Sequence, residues 1–349
     1  MLWLSSYLNN RSFSVKVNTP RSEKCKFVIG VPQGSILGPI LFILYTKELE
    51  NIAKHFGFSI HIYADDTKLY FTFESNDQDK AESRAMACME AIKEWMVVNF
   101  LKLNDSKTDV LIISPKSDPS ATATSFSAVH GCKPLDVETY VKSLGVRLDN
   151  KLAMSHFVSA TIAACNIKLR NLWNVATKLP FKLKVQLAHS MILFKLDYCN
   201  SVLYGITEKD LLKLQKIQNS AVRFIYGRGK RSHVTDLLKS VHFLPVRFRI
   251  MYKINILVYK CINNIAPAYL QELIKLRAPN LHDIRLDNDF FILETPPHPT
   301  FQSTKKAFSY CAPFLWNQLP YKLRSSETLK LFKSKLKTYY FETVFYDEQ

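Results

Sequence analysis

Apolar and polar residues alternate along Phe58-Ser-Ile-His-Ile-Tyr63 and again along Leu69-Tyr-Phe-Thr-Phe73, the period of two that a half-buried strand requires. Between them, Ala64-Asp65-Asp66-Thr67 reads as the turn of a hairpin. Over residues 79–100 the period changes: Ala85, Met86, Met89, Ile92, Met96 and Val97 recur at spacings of one, three and four, which puts them on one side of a helix. Asn104-Asp-Ser-Lys-Thr108 closes that unit, and Val110-Leu-Ile-Ile113 follows as an apolar strand. Residues 114–132, rich in Ser, Thr, Ala and Pro, are expected to form a loop.

Beyond Leu144-Gly-Val-Arg-Leu148 the strand signal nearly vanishes. Apolar stripes predict helices near 153–177, 182–196, 208–226 and 245–262. Gly227 stands where a helix ends in left-handed backbone, and Pro245 stands where a helix begins. A second break covers 275–303, with Pro279, Pro296, Pro297 and Pro299, and a basic helix is expected over 329–341. The expected fold class is α+β, with a mixed unit at 1–149, a helical basic region at 150–275 and a carboxy-terminal segment at 276–349.

Charge sharpens this division. Residues 1–150 carry 17 Lys/Arg and 17 Asp/Glu, whereas 151–349 carry 30 against 13, which accounts for the whole net charge of +17. So one-sided a balance favours a polyanionic partner, most simply nucleic acid, over an unspecialised solvated surface. Hydrophobic residues make up 47% of the chain, enough to exclude wholesale disorder. The longest apolar run, 36–45, contains Gly38 and Pro39 and is about half the length of a membrane crossing. Met1-Leu-Trp-Leu-Ser5 lacks a basic start and a small-residue cleavage site, so an intracellular protein, nuclear or cytoplasmic, is expected and neither secretion nor membrane insertion is. The seven cysteines are scattered without a C-x-x-C pair, which predicts reduced thiols, and the nine histidines show no paired metal spacing. No feature of the sequence sets an oligomeric state.

The sharpest chemical signal is Tyr63-Ala64-Asp65-Asp66. Adjacent carboxylates at a hairpin tip repel one another, and a hard divalent cation such as Mg²⁺ or Mn²⁺ is the natural neutraliser. A bare Asp-Asp in a turn is also common. Gly30-Val-Pro32-Gln33-Gly34-Ser-Ile-Leu-Gly-Pro39 lies upstream, with 25 residues between its end and Asp65. Its glycines and prolines make a rigid turn that lets a nucleic-acid backbone approach closely, and Gln33 offers a donor and an acceptor. A purely structural turn before a buried helix is the alternative.

In this order and spacing, the two strings resemble the Pro-Gln-Gly and Tyr-x-Asp-Asp boxes of the reverse transcriptase palm. Trp95 to Asn99, Leu101-Lys-Leu-Asn104 and Lys107-Thr108 look like the next palm motif, and Ser143-Leu144-Gly145-Val146 looks like the turn that grips the primer end. Trp3-Leu-Ser-Ser-Tyr-Leu-Asn-Asn-Arg11 resembles the lead-in found in the jockey-like branch of non-LTR (LINE-type) retrotransposons. Leu196-Asp-Tyr-Cys-Asn-Ser-Val-Leu-Tyr204, Leu244-Pro-Val-Arg247, Ala266-Pro-Ala-Tyr-Leu270 and Leu315-Trp-Asn-Gln-Leu-Pro320 look like the thumb and carboxy-terminal segments of that branch.

The resemblance implies an RNA-directed DNA polymerase that acts on an RNA template, a DNA primer and dNTPs through divalent metal. It implies metal ligation by Asp65 and Asp66, contact of Pro32, Gln33, Gly34 and Tyr63 with template and nucleotide, and a cation at Lys107 near the leaving pyrophosphate. A solvated turn lysine is the other reading of Lys107. The family draws a third carboxylate from an earlier strand, in a Phe-x-Asp box. Only 29 residues precede Gly30, and their one acid is Glu23, so the chain is expected to be an amino-terminally truncated palm that is inactive alone. A non-enzymatic RNA- or DNA-binding protein and an inert retrotransposon remnant are the alternatives. In the second half, Arg223, Arg228, Lys230 and Arg231 cluster around two glycines, and Arg247, Arg249 and Lys253 form a second group; both suit backbone phosphates. Trp173, Trp316 and Tyr204 are candidates for base stacking, with burial in the core as the ordinary reading.

Overall fold

The computed structural model describes residues 2–31, 34–113, 140–277, 291–297 and 304–346. They fall into two compact units, the first of 2–31 and 34–110, the second of 111–113 and the described residues from 140 onward. The expected loop at 114–132 lies outside the described residues, as do Pro32 and Gln33.

In the first unit, β1 (Arg11–Phe13) pairs antiparallel with β2 (Cys25–Phe27), and β3 (Ser59–Tyr63) with β4 (Asp66–Tyr70). Alternation sorts the second hairpin into two faces. Ile60 and Ile62 pair with Leu69 and Thr67 on one side, while His61 and Tyr63 pair with Lys68 and Asp66 on the other. The apolar side packs on a small core of Leu49, Ala53, Phe58, Cys88 and Ile92, supplied largely by the helices Glu48–His55 and Gln78–Val98. β4 stops at Tyr70 rather than continuing to Phe73, because its partner β3 begins at Ser59, Phe58 N–H being bonded to the Ala53 carbonyl at 2.9 Å; Phe71 packs its ring on Phe58 and lies 4.4 Å beneath the Arg84 guanidinium. The apolar run at Val110 yields one bridge residue and no strand among the described residues. Pro39 opens the helix Gly38–Tyr45 as expected, but that helix buries none of its residues: Ile40, Ile43, Leu44 and Tyr45 are exposed.

The second unit begins with the hairpin of β5 (Tyr140–Ser143) and β6 (Val146–Asp149). Asp149 ends it by accepting the backbone N–H groups of Lys151, Ala153 and Met154 at 3.1, 2.8 and 2.7 Å, which turns the chain into the helix Ser155–Asn174. The remaining helical expectations appear as Phe181–Leu187, continued through a π-helical stretch at Ala188–Leu193, then as Glu208–Tyr226, Val246–Ile262 and Leu329–Phe345. Gly227 caps its helix at φ +62. One core joins residues on both sides of the Pro-rich stretch: the Tyr259 and Phe332 rings stack at 4.5 Å, and Asn255 donates to the Tyr340 hydroxyl at 2.6 Å. The units therefore part before β5, and the carboxy-terminal helices pack with those at 155–262.

Two motifs become intelligible as architecture. Asn317 brackets Leu293, accepting its N–H and donating to its carbonyl at 2.9 Å each, while the indole of Trp316 donates to the Phe291 carbonyl at 2.7 Å. Trp316 is fully buried, so it is core rather than a base-stacking platform. Leu244-Pro-Val-Arg247 is held by Gln218, which donates to the Leu244 carbonyl, and by Gln215, which accepts from Val246 N–H.

Candidate metal and nucleic-acid sites

The β3–β4 connection is a two-residue turn of Ala64 and Asp65, with Tyr63 opposite Asp66. Ala64 holds φ at +53, the sign that hairpin turns of this length require at that position and one that alanine adopts at a cost. Asp65 occupies the tip, and Asp66 begins β4 on the outward side with Tyr63. Both carboxylates and the Tyr63 ring are exposed. Neither acid is consumed by an ion pair among the described residues, so both retain their oxygens for a ligand.

These donors can be tested against a divalent cation, which takes six or more oxygens. The pair supplies two adjacent hard ligands in water, which fits part of such a site. Among the described residues, no three of His, Cys, Asp and Glu converge on one. The residues present therefore make a partial donor set.

Gly34 stands at φ +82 with open space where a Cβ would project, so its backbone rather than crowding calls for glycine. Arg11 anchors the start of this loop by donating to the Gly30 carbonyl at 2.6 Å while lying over the Phe27 ring. Lys107 is exposed at the end of a single 3-10 turn, its N–H bonded to the Asn104 carbonyl at 3.0 Å. Tyr63, Asp65, Asp66, Gly34 and Lys107 all belong to the first unit, and Leu144, Gly145 and the basic groups to the second.

In the second unit Leu144 and Gly145 form a two-residue turn with φ of +47 and +81, a combination typical of type I′ hairpins. The Tyr198 hydroxyl donates to the Leu144 carbonyl, and its ring packs on Gly145. Cross-strand pairing sets Lys142 directly opposite Arg147, away from the face that buries Val146. Like charges so opposed weaken a hairpin, and neither has a carboxylate partner among the described residues. Arg147 lies 5.2 Å from the Tyr140 ring, which stacks on His156 at 4.7 Å. Sequence reading missed Lys142, Arg147 and Tyr198. Two-residue-turn parity held the first two, since residues equidistant from such a turn share a face.

The other cations divide by what they already hold. Arg223 closes its own loop through two bonds to the Ser232 carbonyl, 3.2 and 3.0 Å, leaving Arg228, Lys230 and Arg231 exposed on that loop. Arg247 grips both oxygens of Glu208 at 2.6 Å, and Arg249 forks onto Asp197. Burial pushes the thiols of Cys165 and Cys311 up to about 11 and about 12, so they stay protonated and unreactive near neutrality. No helix among the described residues is long and apolar enough to cross a membrane.

A family model described as reverse transcriptase (RNA-dependent DNA polymerase) matches residues 1–148. The chain is similar to a probable RNA-directed DNA polymerase from transposon BS of Drosophila melanogaster, 28% identical over 250 residues, covering 66% of this chain and 26% of that protein. It is 24% identical over 233 residues to a probable RNA-directed DNA polymerase from transposon X-element, covering 64% of this chain and 24% of that protein. To the RNA-directed DNA polymerase from mobile element jockey it is 27% identical over 235 residues, covering 65% and 25%. The aligned span is about a quarter of the length of each relative. No solved structure matches.

Proposed function

We propose, on the membership of residues 1–148 in the reverse transcriptase family, that the chain is the part of a retrotransposon RNA-directed DNA polymerase that carries the Asp65–Asp66 metal ligands and a nucleic-acid-holding helical region. The observation that carries this reading is the exposed pair of adjacent carboxylates, unclaimed by any ion pair among the described residues, at the tip of a hairpin within the matched segment. Members of the family use divalent metal ions. When bound, such an ion activates the attacking 3′-hydroxyl and offsets charge on the departing pyrophosphate.

Asp65 and Asp66 hold Mg²⁺ or Mn²⁺. Lys107 offers a positive charge to the pyrophosphate, and Pro32, Gln33, Gly34 and Tyr63 border template and dNTP. The Leu144–Gly145 turn contacts the primer end, while Lys142, Arg147, Arg228, Lys230 and Arg231 meet phosphates of the RNA template and DNA primer. Arg223 contributes indirectly, by shaping the loop that presents its neighbours.

A polypeptide of these 349 residues is expected to bind an RNA–DNA primer-template with affinity that falls steeply with salt. It is not expected to extend the primer, because two carboxylates do not hold two cations against their mutual repulsion. Fluorescence anisotropy across a salt series should show the log–log slope shrinking by about two when Lys142 and Arg147 both become Ala. Salt-independent binding, or primer extension that disappears in Asp65→Ala, would overturn the respective half of the proposal. The partial donor set also favours a second reading, a nucleic-acid-binding protein that keeps the first unit as scaffold. That reading predicts full function in Asp65→Asn.

A further inference from the structure

The Leu196-Asp-Tyr-Cys-Asn200 string resembles a family segment yet carries no chemistry in the reading above. Its side chains converge on one task. Arg249 forks onto Asp197, and Asn200, itself buried, donates to the Asp197 carboxylate at 3.3 Å and to the Arg249 carbonyl at 3.4 Å. Cys199 reverses the backbone at φ +50. These bonds fix the chain on both sides of Tyr198, whose position then follows from its neighbours rather than from its own exposed ring.

Tyr198 reaches the tip of the β5–β6 hairpin. Its hydroxyl donates to the Leu144 carbonyl, which lies outside the ladder that ends at Ser143 and Val146. Its ring covers Gly145 so closely that a Cβ there would sit 3.3 Å from the hydroxyl oxygen and 3.4 Å from a ring carbon. Gly145 is called for by its φ of +81, and a Cβ there would also press on the Tyr198 ring, which would have to give by a few tenths of an ångström. The Lys195 ammonium lies 5.6 Å from the same ring. A two-residue turn fixes register but leaves its tip able to rock; a hydrogen bond and a ring face remove that freedom.

We propose that Tyr198 is a positioning residue, holding the Leu144–Gly145 turn at the angle from which it contacts the recessed primer end; this rests on the reading of that turn as the primer contact. Tyr198→Phe keeps the ring and deletes the hydrogen bond, whereas Leu144→Ala deletes a side chain at the turn itself. The full 349-residue chain is titrated against two probes, an RNA template annealed to a shorter DNA primer and a blunt RNA–DNA duplex of equal length. Thermal melting is followed alongside.

Wild type should prefer the recessed end, and Tyr198→Phe should lose that preference by roughly fivefold, the value of one neutral hydrogen bond, with blunt-duplex affinity and melting midpoint held. Tyr198→Leu should lose more. If Leu144→Ala loses the preference and Tyr198→Phe keeps it, the positioning role is wrong and the primer contact stands. If Tyr198→Phe weakens both probes equally and lowers the melting midpoint, the residue is merely structural and the proposal is overturned. If wild type shows no preference at all, the reading of the turn falls and this inference with it.

Discussion

Removing one carboxylate from the hairpin tip should weaken divalent-cation binding by roughly tenfold, and the structure sets that size. Asp65 and Asp66 are consecutive, exposed and without an ion-pair partner among the described residues, so a cation meets them in a medium close to bulk water. There, unit charges about 4 Å apart attract by about 1 kcal/mol, and a divalent ion doubles this for each carboxylate, which corresponds to about thirtyfold in affinity. Physiological salt trims the effect toward tenfold. Because the two acids share one ion, the double variant should abolish the site rather than add two equal losses. Electron paramagnetic resonance of free Mn²⁺ during titration reads this directly for wild type, Asp65→Asn, Asp66→Asn and the pair. Glu74→Gln, an exposed acid of the same unit, is the control. Wild-type affinity in Asp65→Asn, or an equal loss in Glu74→Gln, would show that the acidic pair is not where the cation binds.

Ala64 at φ +53 predicts that Ala64→Gly slows opening of the β3–β4 hairpin, by about 0.5 kcal/mol after the entropy of glycine is set against relief of the left-handed backbone; Ala64→Val should speed it. Amide hydrogen exchange of β3 and β4 measures both, and faster exchange in the glycine variant would contradict the assignment of strain. Asp210 is nearly buried, and although burial alone would raise its pKa, hydrogen bonds from Lys213 and Ser155 outweigh it and hold the carboxyl below its ordinary 3.8. A depressed folded-state pKa stabilises above the unfolded value and loses that contribution as pH falls through the folded one. Asp210→Asn should therefore destabilise the second unit near neutrality, with the difference from wild type narrowing below about pH 4; a constant difference down to pH 2 would count against it.

Helices longer than four turns were legible because their stripes are long: the expected 208–226 appears as Glu208–Tyr226 and 245–262 as Val246–Ile262. Caps were legible where backbone chemistry is unambiguous, as at Gly227. Strands were less so. Phe71 and Phe73 continue the alternation of β4 but lie beyond its ladder, because the partner strand begins only at Ser59 and Phe58 N–H is taken by the Ala53 carbonyl, a bond that only tertiary structure reveals. The apolar helix Gly38–Tyr45 reads as buried, yet composition does not say whether a cover is at hand. Division at the Pro-rich stretch failed to register the Asn317 bracket around Leu293, because one amide bonding one residue's two backbone groups leaves no periodic trace. At the candidate sites, residue identity was readable and availability was not. Arg223, Arg247 and Arg249 look like free cations in the sequence, but Arg223 is committed to a carbonyl and the other two to carboxylates.

The claim that Asp65 and Asp66 serve nucleotide joining is tested most directly by single-nucleotide extension of a DNA primer on an RNA template. The chain is fused in frame behind the upstream portion of the jockey polymerase and supplied with Mg²⁺ and dNTPs. The fusion should extend the primer, its Asp65→Asn variant should lose at least a hundredfold in rate, and the 349 residues alone should not extend it. A fusion that extends primers equally well with Asp65→Asn would contradict it.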